Sequence, residues 1–111
     1  MSSTARITAI SELRRAIARL RARELSFLDG VRLINEIGHR LTREAADPDF
    51  VLFIAIDSES DHLPNSHARS ISSSTCIERA NREESELESK YGAQVAAACE
   101  RLLGRFDGHA A

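Results

Sequence analysis

The 111-residue chain is short of aromatic residues and cysteine. It has no Trp, and its aromatic content of 5% argues against a nucleic-acid-binding surface. The two cysteines, Cys76 and Cys99, lie 23 residues apart without a CxxC motif, so we expect free thiols in a reducing cytoplasm. No apolar run approaches the roughly 18 residues that a membrane span needs. We expect a cytoplasmic protein that binds neither membrane nor nucleic acid.

Motifs that mark familiar catalytic sites are also missing. The chain has no Gly-rich phosphate loop, no GxSxG elbow and no HExxH pair. No motif couples either cysteine to a histidine as a nucleophile. We therefore expect no catalytic residue and no cofactor.

The composition that remains is that of one globular domain spanning residues 1–111, with 42% apolar and 29% charged residues. The net charge is −2, but the charge is unevenly placed. Residues 1–43 carry nine Arg against four acidic residues, whereas the rest of the chain carries six basic against thirteen acidic residues. Two oppositely charged halves either pair within the fold or face different partners, and we expect mainly internal pairing.

Apolar residues recur at helical spacing through the first forty residues. The first stripe (Ile7, Ile10, Leu13, Ile17, Leu20) predicts a helix from about Thr4 to Glu24. The second stripe runs from Leu28 to Leu41, with Ser26 as its N-cap. Gly30 and Gly38 share nearly one face of this second helix, which indicates close approach by another backbone.

Residues 47–62 admit two interpretations. By propensity, Phe50–Ile56 is a buried strand. By helix-start signals, Asp47 is an N-cap and Pro48 occupies the first helical position. No other segment resembles a strand with which this one would pair. We therefore predict a third helix from about Pro48 to Ser58.

The C-terminal half of the chain predicts a loop and one long helix. Residues 63–74 are rich in Ser and lack periodicity, so we expect a loop. Thr75 and Glu78 form a capping box for a helix that continues to Phe106. The chain is thus predicted to be all-α, a four-helix bundle-like single domain with a long C-terminal helix.

Acidic side chains concentrate just after the third predicted helix and again near the start of the long one. Exposed carboxylates give fast, electrostatically steered association with a basic partner. We therefore predict a protein-binding surface formed by seven residues: Asp57, Glu59, Asp61, His62, Glu83, Glu84 and Glu86.

A metal-dependent enzyme is the first alternative. Oxygen and imidazole donors occur together at Asp57, Asp61, His62 and His67. The acids at 57, 59 and 61 resemble the start of a calcium-binding EF-hand loop, but its Gly and final Glu are replaced by His62 and Ala68. No ligand spacing specifies a metal here, so we assign none.

A nucleic-acid-binding regulator is the second alternative. Its contacts would come from the Arg-rich first helix, through Arg14, Arg15, Arg19 and Arg23. The negative net charge and the low aromatic content weigh against it.

The order of residues 47–64 resembles a family of small, poorly characterised bacterial proteins in which an IDSETDHLP-like run follows a DPDF start. The likeness extends over roughly residues 20–105, with Ser60 in place of Thr and Ile71 in place of Trp. The resemblance implies a cytosolic immunity protein that neutralises a toxin, and it brings no catalytic residue. The sequence does not distinguish a homodimer from other oligomeric states.

Overall fold

The computed structural model describes residues 3–42 and 47–107, and within these ranges the chain forms five α-helices and no strand. They are α1 (Ser3–Arg21), α2 (Phe27–Leu41), α3 (Val51–Glu59), α4 (Ser66–Ser70) and α5 (Ser74–Asp107). The predicted all-α domain with a long C-terminal helix is confirmed. None of the described helices is long and apolar enough to cross a lipid bilayer.

The first helix ends three residues earlier than predicted, at Arg21. Arg23 takes a left-handed backbone conformation with φ 59°. The Glu24 N–H donates to the Arg19 carbonyl at 2.9 Å, and the Arg23 N–H donates to the Leu20 carbonyl at 3.2 Å. This pair of bonds is a Schellman motif, which closes a helix and reverses the chain toward α2.

The second helix follows the sequence prediction closely. The Ser26 hydroxyl accepts the Asp29 N–H at 3.1 Å and caps the helix as expected. The two glycines do admit close neighbours, but these are side chains rather than a backbone. A Cβ at Gly30 would lie 2.6 Å from Leu20 Cδ1, and one at Gly38 would lie 2.5 Å from Phe50 Cδ1.

Residues 51–59 are helical, so the helix interpretation of this segment is confirmed. The helix begins later than predicted because residues 47–50 form a separate turn. Asp47 organises this turn: its carboxylate accepts the Asp49 N–H at 3.0 Å, and its carbonyl accepts the Val51 N–H at 2.9 Å. Asp47 is therefore not the N-cap of α3, which is Phe50, and it instead organises the turn that precedes the helix.

The predicted loop 63–74 contains a short fourth helix, so the four-helix count was one too few. Asn65 caps α4 by accepting the Ala68 N–H at 2.7 Å. The start of α5 also differs from the prediction, because Ser73 rather than Thr75 accepts a capping bond, from the Cys76 N–H at 3.3 Å. Four successive hydroxyl residues left this register ambiguous in the sequence.

The long helix α5 is the element on which all the others pack. Its 34 residues extend about 50 Å at 1.5 Å per residue, while the molecule is 47 Å long, so α5 spans its full length. Each of the other four helices contacts it. Its buried stripe joins one core with the other helices, in which the largest fully buried side chains include Leu13, Ile17, Leu28, Ile34, Phe53, Leu102 and Phe106.

Candidate partner-binding surface

The seven residues predicted to bind a partner do not form one patch. Asp57 lies half-buried between α3 and α2. Its carboxylate accepts a hydrogen bond from the Asn35 side-chain amide at 2.8 Å and lies 3.7 Å from Arg32 Nε. Asp57 is therefore engaged in holding α3 against α2.

The turn after α3 is anchored by the same arginine. Arg32 Nη2 donates to the carbonyl of Ser60 at 2.7 Å and to that of Leu63 at 3.0 Å. Ser60 is fully buried, and its hydroxyl donates to the Asp57 carbonyl at 3.2 Å. Much of the 57–64 segment thus has a structural role, which is to fix this turn on α2.

Glu84 does not lie on the surface where it was expected. Its side chain is buried, with Oε1 2.5 Å from Arg69 Nη1. Its other oxygen accepts the Leu28 N–H at 2.8 Å, which satisfies a free donor in the first turn of α2. Arg69 also donates to the Pro64 carbonyl and the Asn81 side chain, each at 3.0 Å. Glu84 therefore joins α2, α4 and α5 in the interior.

Four of the seven predicted residues meet in one groove of about 300 Å³ between the end of α3, the following turn and α5. We call it the acidic groove, and its lining residues are Glu59, His62, Leu63, Glu83, Glu86, Leu87 and Lys90. Its two leucines are buried, so the floor is apolar and the charged groups form the rim. The remaining predicted residue, Asp61, is exposed but does not line this groove.

The carboxylates of the acidic groove differ in how strongly they are held. Glu59 accepts the Tyr91 hydroxyl at 2.6 Å and the Lys90 ammonium at 3.2 Å, and these bonds lower the pKa of Glu59. His62 Nε2 lies 3.1 Å from a carboxylate oxygen of Glu83. The Glu86 side chain is exposed and makes no hydrogen bond or ion pair within the described residues. The rim thus presents three carboxylates against one ammonium.

Sequence analysis missed Lys90 and Tyr91 as parts of this site. Lys90 and Tyr91 each lie four residues after a groove residue, Glu86 and Leu87 respectively, which places them on the same side of α5. That spacing is visible in the sequence. What it could not reveal is that the end of α3 faces this side of α5.

The residues of the proposed metal site are not brought together. Within residues 3–42 and 47–107, no group of three or more His, Cys, Asp or Glu side chains is placed to hold a metal ion. Asp57 is bound to α2, whereas His62 pairs with Glu83 on α5. The geometry offers no support for the metal-dependent enzyme.

The oppositely charged halves of the chain pair with each other, as expected. Among the described residues, four ion pairs join an Arg of the first half to an acidic residue of the second: Arg14–Asp107, Arg21–Glu100, Arg23–Glu88 and Arg32–Asp57. Of the four arginines proposed to bind nucleic acid, Arg14 and Arg23 are engaged in this way. The nucleic-acid-binding alternative requires these four arginines to be available together, whereas two of them are held in ion pairs within the protein.

A cavity of about 530 Å³ lies where α4 and α5 meet the start of α2. Arg69 and Glu84 line it, and their charges are already paired.

No family model, curated protein or solved structure matches the chain. The function is therefore inferred from this chain's own residues.

Proposed function

We propose that this protein is a cytoplasmic protein-binding module whose acidic groove accepts a basic segment of a partner. The observation that supports this is the combination of an apolar floor, Leu63 and Leu87, with a rim of carboxylates. Lys and Arg side chains have the matching shape, an aliphatic stem that ends in a cation. The stem would cover the leucines while the cation binds Glu83 or Glu86.

We propose further that the partner is a bacterial toxin, which makes the module an immunity protein. The support for this is the resemblance of residues 47–64 to the family described above. Within that run, the Ser60 and Leu63 carbonyls accept hydrogen bonds from Arg32, which hold the turn carrying His62 and Leu63 as one wall of the acidic groove. A toxin domain encoded by the adjacent reading frame, whose toxicity is suppressed when both are expressed, would support this identity.

The groove itself is tested with a fluorescent peptide that presents Arg and Leu on one helical face. Fluorescence anisotropy should show saturable binding that weakens as salt rises. The double variant Glu83→Lys with Glu86→Lys should bind about tenfold more weakly or worse. Circular dichroism should show that it remains folded, because neither side chain is buried.

The matched control is Glu36→Lys with Glu78→Lys. Both residues are exposed and lie outside the acidic groove. Their substitution changes the net charge of the protein by the same amount as the Glu83→Lys and Glu86→Lys pair. The control should keep most of the wild-type affinity. Equal losses in the two double variants would mean that the peptide responds to net charge alone, and the groove would then not be its site.

A further inference from the structure

A second groove, of about 280 Å³ and mostly basic, lies between α1 and α2. We call it the basic groove, and its lining residues are Glu12, Arg15, Ala16, Arg19, Leu33, Ile37 and Arg40. None of these residues lines the acidic groove. It carries three guanidinium groups against one carboxylate.

Two of the three arginines in the basic groove have no partner in the described part of the chain. Arg40 forms an ion pair with Glu12 across the groove. The side chains of Arg15 and Arg19 are exposed and, within residues 3–42 and 47–107, make neither a hydrogen bond nor an ion pair. They lie four residues apart on α1, so their side chains emerge side by side. Most other arginines of the first two helices are paired, which makes this pair distinctive.

The floor of the basic groove is aliphatic. Ala16 and Ile37 are buried, and Leu33 is half-buried between them and solvent. A nucleic acid would find cations here but no aromatic ring on which to stack a base. A protein segment with apolar and acidic residues on one face would satisfy both the floor and the arginines. Guanidinium groups bind carboxylates through paired hydrogen bonds, which favours this occupant.

We propose that the basic groove binds an acidic amphipathic segment of a partner protein, through Arg15 and Arg19 with an apolar side chain on Leu33. The surface is separate from the acidic groove, so the module would present two docking surfaces of opposite charge. The ion pair between Glu12 and Arg40 is an example of the same interaction within the chain, because a carboxylate there binds one of the three guanidinium groups of the basic groove.

The test uses a fluorescent peptide that presents Glu and Leu on one helical face, measured by anisotropy with the full chain. The wild-type protein should bind it saturably, and a peptide with Gln in place of Glu should bind at least tenfold more weakly. The double variant Arg15→Glu with Arg19→Glu should also lose about tenfold or more in affinity. The milder pair Arg15→Gln with Arg19→Gln provides a second measurement if charge reversal disturbs folding.

The matched control is Arg79→Glu with Arg82→Glu, two exposed arginines of α5 outside the basic groove. It should retain wild-type affinity for the acidic peptide. The proposal is overturned if the wild type shows no saturable binding, if both double variants lose affinity equally, or if a single-stranded oligonucleotide displaces the peptide at lower concentration. Binding of the Arg-Leu peptide should be unaffected by the Arg15 and Arg19 changes, so the two grooves are tested independently.

Discussion

The buried carboxylate of Glu84 allows a sharp test of how the fold is held together. It receives hydrogen bonds from Arg69 and from the Leu28 backbone, and both charged side chains are only about a tenth exposed. Glu84→Gln keeps the shape and one acceptor but removes the negative charge. Arg69 is then left as a buried cation with no counter-charge.

The expected loss follows from that isolation. Removing one partner of a buried ion pair costs about 3–5 kcal/mol, mainly because the remaining charge is desolvated. Since a tenth of each side chain reaches solvent, we expect the lower figure, about 3 kcal/mol. For a domain of this size, that corresponds to a fall of roughly 10–20 °C in Tm.

Urea unfolding followed by circular dichroism measures the loss, and a double variant supplies its control. Replacing Arg69 and Glu84 together by Met removes both charges and fills the space with apolar atoms. This double variant should be more stable than Glu84→Gln, despite leaving the Leu28 N–H without its acceptor. A loss below about 1 kcal/mol for Glu84→Gln is typical of an exposed pair and would refute the buried-pair reasoning.

Three further substitutions probe packing and acid stability. Gly38→Ala would place a methyl 2.5 Å from the Phe50 ring and should lower the free energy of unfolding by about 1–2 kcal/mol. Gly92→Ala would place its methyl at an ordinary contact distance, 3.8 Å from Glu88 Cγ, and should raise the free energy of unfolding by up to about 1 kcal/mol. Urea denaturation measures both, and changes of the same sign would contradict the packing. The Arg105 guanidinium lowers the pKa of Asp47 below its ordinary 3.8, so this ion pair stabilises the fold above that value and its contribution is lost as the pH falls further. Asp47→Asn should therefore lose less stability than the wild type between about pH 5 and pH 2 in thermal unfolding; an equal acid loss would show that other groups dominate.

How far the sequence predicts the fold depends on whether a signal is local. The second helix could be located because its stripe and its Ser26 cap act within a few residues. The five residues of α4 are too few to show a periodic pattern, and the helix is tied to α5 by the long-range bonds of Arg69. The loop prediction for 63–74 failed for that reason.

The candidate site could be predicted only in part. Carboxylate density in the sequence selects Glu59, Glu83 and Glu86, and the structure places these three side chains along one groove. It could not distinguish Glu84, although Glu84 lies on the same helical stripe as the buried Ala80 and Leu87. Extending the apolar stripe back by one turn would have marked Glu84 as an interior residue. The partner of that buried charge lies fifteen residues away, on another helix, and no local pattern reveals it.

The position of α5 has a consequence for amide hydrogen exchange. Because each of the other four helices packs on α5, its central amides can open only when the whole domain unfolds, and they should be the slowest to exchange. The few amides of α4 should exchange early. A basic ligand in the acidic groove would contact α5 and the turn at Leu63 together, so its binding would slow exchange in that turn first.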